Sequence, residues 1–153
     1  MNEENAQLEK EVRIWWNRLQ HDTGNRSRIR HQSDLIGVQT VGSFYDLVKV
    51  LPEVDIDILA SIAMVLSHIE VDSKVKVARA MGKKTINSNH VVSELRFNKL
   101  ISQNLEDFSR ELIRVLPLID NTADVGALAV DLKYWDSPTQ ISKKNWLSDY
   151  YLA

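Results

Sequence analysis

Paired arginines at helical spacing are the groups in this sequence best suited to chemistry. Arg110 and Arg114 stand four residues apart, an interval that puts two side chains about 5–6 Å apart on one face of a helix. Arg26 and Arg30 repeat the interval, with Ile29 pointing elsewhere, and Arg96 and Lys99 stand three apart. Guanidinium groups present a planar fork of donors that matches phosphate oxygens. Cations set at such intervals can follow consecutive phosphates of a nucleic acid. The same pattern also describes an ordinary solvated helix face, because Glu106, Asp107 and Glu111 are interleaved with the arginines.

Other chemistry finds little support. Cysteine is absent, so thiolate catalysis and disulfides are excluded. His21, His31, His68 and His90 are scattered and lack the spacing of a metal site. His21-Asp22 is a bare pair of the kind metal-dependent phosphohydrolases use, without the further His and Asp residues they require. It reads equally well as a histidine at a helix C-terminus. Asp55 and Asp57 fall at the start of a helix, where capping accounts for them. Gly82-Lys83-Lys84-Thr85 resembles only the tail of a phosphate loop and lacks the earlier glycine. No nucleophile has a base at recognisable spacing. No enzyme activity, metal or cofactor is expected.

The charge balance narrows the role. Net charge is −2, which does not suit a free-standing basic nucleic-acid binder. Yet residues 34–72 carry a single base, Lys49, against a run of acids, whereas residues 73–84 carry Lys74, Lys76, Arg79, Lys83 and Lys84 and no acid. Basic patches on a neutral chain suit a subunit that meets nucleic acid inside a larger assembly. No apolar run approaches the ~18 residues of a membrane span, and the acidic, polar start is unlike a secretory signal. A cytoplasmic protein without membrane contact is expected.

The elements that must position these cations read as helices. Leu105, Phe108, Leu112, Leu116 and Ile119 recur at steps of three and four and leave Arg110 and Arg114 on the opposite side. Phe97, Leu100 and Ile101 share a face of a preceding arm, so residues 91–119 form a helical hairpin turning near Gln103-Asn104. Residues 3–21 form a helix with Leu8, Val12, Trp15, Trp16 and Leu19 inward, ended with the help of Gly24. The two tryptophans are core anchors in this reading. A short helix begins near Arg26, and Gly37 and Gly42 mark a loop. Ser43 caps a helix over Phe44–Val48, ended by Pro52. Asp55 to Ile69 form a buried helix with Met64 as packing and His68 as a hydrogen-bonded core or interface residue. Val71 to Ala80 fits a strand or a helix. Asp124 or Thr122 caps a helix that turns Leu128, Leu132 and Trp135 inward, and residues 141–152 close the chain as a helix with Lys143 and Lys144 exposed. The 44% apolar content supports a packed core. The expected fold is all-α, a compact helical bundle of two small lobes sharing a core, 1–84 and 85–153, divided in the loop-like stretch Gly82 to Asn89.

Taken in order, several segments resemble one family. They are Trp15-Trp16-Asn17-Arg18-Leu19 with Gly24, Arg26 and Ile29-Arg30; Phe44-Tyr45-Asp46-Leu47-Val48; and Ala78-Arg79-Ala80-Met81-Gly82. Next come Ser93 to Ile101, with Arg96-Phe97 and Leu100-Ile101, then Arg110 and Leu112. Asp124, Leu128, Asp131-Leu132, Trp135, Trp146 and Asp149-Tyr150-Tyr151 complete the set. This ordered set is similar to the CasB family, the small subunit of the type I-E CRISPR surveillance complex, Cascade. The resemblance implies a non-catalytic helical protein whose basic surface holds target DNA and the displaced strand, so that the R-loop stays open. It implies the large and backbone Cascade subunits, guide RNA and a second copy of the chain as partners. Arg26, Arg30, Arg79, Arg96 and Arg110 lie in matched segments; Lys83, Lys84, Lys99, Arg114, Lys143 and Lys144 join them by local charge. Leu95 stands where the family often has a second arginine. That departure, and the net acidity, imply that partner subunits supply part of the phosphate binding. The competing expectation is a helical protein–protein adaptor with no nucleic-acid role, acting through the aromatic C-terminal helix and above all Trp146.

Overall fold

The computed structural model describes residues 2–153, and its regular elements are helices apart from two two-residue strands. The first helix, α1 (Glu3–Gln20), buries Leu8, Val12, Trp15, Trp16 and Leu19 along one stripe. It ends without Gly24, at His21, and Asp22 immediately caps α2 (Thr23–Arg30), so that Gly24 lies inside the second helix. The expected loop around Gly37 contains a short helix, α3 (Leu35–Gln39), nucleated by the Asp34 carboxylate accepting the Gly37 N–H. Next is α4 (Phe44–Val50). Ser43 does not cap it: its backbone is already helical, and its carbonyl accepts the Trp15 indole N–H instead.

The central element is α5 (Ile56–Leu66), capped by Asp55 through the N–H groups of Asp57 and Ile58. Beyond it, the ambiguous stretch from Val71 to Ala80 resolves into both alternatives, a two-residue strand β1 (Val71–Asp72) and helix α6 (Val77–Gly82). The hairpin follows as α7 (Glu94–Ile101) and α8 (Leu105–Val115), capped by Ser93 and Asn104. Its second arm tightens into a 3₁₀ turn (Leu116–Ile119) at Pro117, which has no amide to extend the α ladder. The chain closes with β2 (Thr122–Ala123), α9 (Val125–Lys133, capped by Asp124) and α10 (Ile141–Tyr151). The strands pair in parallel, Val71 with Thr122 and Asp72 with Ala123.

The apolar side chains form one contiguous core. Helix α1 lies along α9, α6 along α10, and α5 against α3, α8 and α9. Elements on either side of the 84/85 boundary therefore share that core. Arg13 clasps the two halves: its Nε is 3.1 Å from Asp72 Oδ2 and its Nη2 is 2.7 Å from Asp124 Oδ1. Gly126 makes room for the clasp, since a Cβ there would sit 2.8 Å from both Arg13 Nη1 and Glu9 Oε1. Aromatic rings seal the C-terminal side. Phe108 stacks on Trp135 at 3.7 Å between centroids, and Trp146 meets both rings edge-on at 5.2 and 5.3 Å. Tyr150 stacks on Phe97 and donates its hydroxyl to the Val92 carbonyl at 2.6 Å.

Asp131 is the costly group in this arrangement. Its carboxylate accepts the Trp146 indole N–H at 2.8 Å, and its carbonyl accepts the Ser142 hydroxyl. Burial pushes its pKa up to about 6, opposed by the Trp146 hydrogen bond. A native-state pKa above the ordinary 3.8 means that the protonated acid favours folding. That contribution is complete below the ordinary value and is lost as pH rises through about 6. Asp131→Asn keeps an acceptor for the indole and removes the buried charge. It is expected to stabilise the protein by about 1–3 kcal/mol at pH ~7.5 and by almost nothing at pH ~4. Thermal unfolding of both proteins across that range is the measurement; a gain independent of pH would show that ionisation is not the cause.

Candidate nucleic-acid interface

Helix α2 is short, and Ile29 is its one buried residue. Anchored there, its other faces put Arg26 and Arg30, one turn apart, beside the C-terminal end of α5. Arg26 turns inward. Its Nε donates to the Ser67 carbonyl at 3.1 Å and its Nη2 to the Ile69 carbonyl at 3.3 Å. A guanidinium at this end meets the negative pole of the helix and carbonyls that have no partner within it. Burial, then the charge of Arg30, lowers the Arg26 pKa, while Glu70 acts the other way; the group remains charged. Arg30 is exposed and has no ion-pair partner among the described residues.

His68 lies between these arginines and α8. Burial, then Arg30 and then Arg26, push its pKa down to about 4, so the ring is neutral at physiological pH. Of the two expectations for His68, core or interface, the structure fits the second: the ring is half-buried and walls two adjoining clefts, but it lacks the expected side-chain hydrogen bond among the described residues. One cleft, about 420 Å³, lies between α2 and His68 and is lined by Arg26, Arg30 and His31 with Thr23 and Ser27. The other, about 180 Å³, is lined by Met64 and Ile113 and by the polar side chains of Arg30, Gln32, Ser33, Arg110 and Arg114. Because Arg30 and His68 border both, the two form one groove crossing from α2 to α8.

On α8 the two arginines differ. Arg110 donates Nε to the Ser33 carbonyl at 3.0 Å and Nη2 to Glu106 Oε1 at 2.6 Å, with Asp107 Oδ1 3.6 Å from Nη1. It is oriented and partly neutralised. Arg114 is 76% exposed and meets only Glu111, at 3.9 Å. Glu111 also lies 3.8 Å from Lys99 Nζ, so one carboxylate bridges the two arms of the hairpin.

The structure brings four of the sequence-selected cations, Arg26, Arg30, Arg110 and Arg114, to this groove and sets Lys99 next to it through Glu111. The remainder lie outside its walls. Arg79 faces Asp149 across α6 and α10 at 3.9 Å. Lys83 and Lys84 are exposed in the loop after α6, and Arg96 is half-buried on α7. Lys144 is exposed, but Lys143, contrary to expectation, is half-buried, with its Nζ 5.6 Å from the centre of the Trp135 ring. Trp146 is 1% exposed. It cannot be the contact residue of an adaptor surface, and its truncation would open the aromatic cluster. Trp15 and Trp16 are core residues, as expected, each with its indole N–H on a carbonyl. The His21 ring Nδ1 pairs with the Asn17 carbonyl, and Asp22 is spent on capping. Sequence reasoning missed Arg13 and Ile113, for which no local signal existed, and noted His31 only as a scattered histidine; Met64 is the packing residue expected.

No curated protein matches the chain. Residues 25–151 match the model of the family described as CRISPR-associated protein Cse2. Among solved structures the fold is similar to a chain of Escherichia coli Cascade bound to a PAM-containing double-stranded DNA target. The TM-score is 0.70 at 20% identity, covering 92% of this chain and 96% of that one. It is also similar to CasB from Thermus thermophilus, with TM-score 0.67, 20% identity and 100% of both chains covered. A Cse2-family structure, also from Thermus thermophilus, gives 0.67 at 20% identity, over 95% of this chain and 98% of that one.

The geometry separates Arg26 from Arg30. Arg26→Ala strips a charged donor from two carbonyls and is expected to cost about 1–3 kcal/mol of stability. Arg30→Ala should stay within about 0.5 kcal/mol of the parent. Urea unfolding distinguishes them, and equal costs would contradict these assignments.

Proposed function

The chain belongs to the CRISPR-associated Cse2 family, and on that footing we propose that it is a non-catalytic subunit of a Cascade-type, RNA-guided surveillance complex in the cytoplasm. In that complex it contacts the large and backbone subunits and a second copy of itself. Its basic groove holds DNA strands separated by pairing of the target with guide RNA. The observation that carries the reading is the convergence of Arg26, Arg30, Arg110 and Arg114 from distant parts of the sequence on one groove.

The physics suits that task. Sequence is read by base pairing with the guide, so this subunit needs only contacts to the backbone. Exchanging a DNA duplex for an RNA–DNA heteroduplex is nearly balanced in energy, and a few phosphate contacts can tip it. Counterion release makes those contacts salt-dependent. Arg30 and Arg114, which have the weakest internal ties, are the cations most available to phosphate. Glu106 restrains Arg110 and so limits what it offers.

Replacing Arg30 and Arg114 together by Ala in the assembled complex should weaken target binding and flatten its dependence on salt. The log–log slope should fall by roughly 0.7 for each single-strand phosphate that is no longer neutralised. Titrations at several salt concentrations measure it; an unchanged slope would remove the groove from the DNA path. Glu106→Gln should act in the opposite sense, tightening binding by about two- to fivefold at low salt, in line with the worth of an exposed ion pair.

A further inference from the structure

The two halves of the groove differ in chemistry, and the difference specifies a ligand. Every side chain lining the larger cleft is polar or charged: Thr23, Arg26, Ser27, Arg30, His31 and His68. That lining suits a phosphate. The smaller cleft exposes more apolar than polar surface: Ile113 and the almost buried Met64 line it together with Gln32, Ser33, His68 and three arginines. At about 180 Å³ it holds the equivalent of roughly six waters, enough for one planar ring and too little for a stretch of chain. Arginine planes beside an apolar side chain are a surface on which an unstacked base can lie. Arg110 is fixed at that rim by the Ser33 carbonyl and Glu106. Arg30 and His68 belong to both clefts, so neighbouring atoms of one nucleotide can occupy the two together.

We propose that this groove is a nucleotide seat for single-stranded nucleic acid, taking a backbone phosphate between Arg26, Arg30 and His31 and the adjoining base against Ile113 in the smaller cleft. The proposal rests on the reading that the groove meets separated strands, and it adds that a base is buried there as well as a phosphate held. A base within a duplex is stacked on both faces and cannot enter. The seat therefore discriminates strand state without discriminating sequence. The neutral His68 ring supplies a wall between the two halves and adds no charge of its own to the base side.

The test uses the full-length protein and two oligonucleotides of equal length and charge, oligothymidylate and its abasic counterpart, followed by fluorescence anisotropy at fixed salt. The oligothymidylate should bind about fivefold more tightly, the low end of what a stacked base contributes. Ser33→Leu, which adds bulk at the exposed mouth of the smaller cleft without adding an aromatic face or changing charge, should erase that difference and leave abasic binding as it was. If that variant misfolds, Ile113→Thr alters the apolar lining instead and should narrow the same gap. Equal binding of the two oligonucleotides by the parent protein would overturn the base seat and leave the backbone reading standing. If Arg30→Ala binds both as the parent does, or the parent binds neither, the backbone reading falls with it.

Discussion

Every residue of α5 from Leu59 to Leu66 is buried, and a helix sunk this deeply cannot leave its end groups to water. At its N-terminus Asp55 accepts two of the free amides. Just past its C-terminus the carbonyls of Ser67 and Ile69 recruit donors from elsewhere in the chain: the Trp16 indole from α1 and the Arg26 guanidinium from α2. Much of the architecture follows from that demand. It fixes α2 against the end of α5, although α2 has only Ile29 to bury. With Arg26 turned inward, the next turn of α2 places Arg30 outside, beside His68 and across from α8. The basic groove is thus the outer surface of a structural solution to a buried helix end.

The opposite wall is held by different forces. Helix α8 is pinned by Phe108 and Leu112, and Phe108 belongs to the aromatic cluster with Trp135 and Trp146. Through that cluster α8 is coupled to α9 and α10, and through the Arg13 clasp α9 is coupled to α1 and β1. Gly82 lets α10 approach α6 directly, since any side chain there would collide with the Tyr150 backbone. Both walls therefore rest on one core made from both halves of the chain, and a groove with rigid walls spends less free energy on ordering when it binds.

How much of this was legible in the sequence depended on whether the signal was local. The hairpin was, because Leu105, Phe108 and Leu112 repeat with the period of a helix and Asn104 supplies a cap. Caps elsewhere were only half legible. Gly24, Gly37 and Ser43 carry composition signals for breaks and caps, yet Gly24 and Gly37 sit inside short helices and Ser43 is overruled by the needs of Trp15. The groove was legible as a set of cations and not as a place. Spacing pairs Arg26 with Arg30 and Arg110 with Arg114, but nothing local says that the pairs face each other across His68. Nor does the sequence say that Arg26 meets carbonyls, since an arginine over an exposed face and one over a helix end look alike until α5 is in position. The resemblance supplied what periodicity could not, a reason to collect those arginines together.

Within the groove the cations are graded by how firmly the protein already holds them, and the grading argues for how the surface works. Arg26 is bound to two carbonyls inside the fold and cannot be released without loosening α5. Arg110 is tethered to Ser33 and shared with Glu106 and Asp107, so its plane is set while part of its charge is cancelled. Arg114 touches a carboxylate only at 3.9 Å, and Arg30 touches none among the described residues. Exposed ion pairs at such distances contribute little, and a phosphate replaces them at small cost. A net charge of −2 then becomes intelligible. The interleaved acids Glu106, Asp107 and Glu111 weaken the attraction of the free surface for a passing polyanion without abolishing it, and leave two arginines ready for a strand delivered to them at high local concentration by the pairing reaction itself.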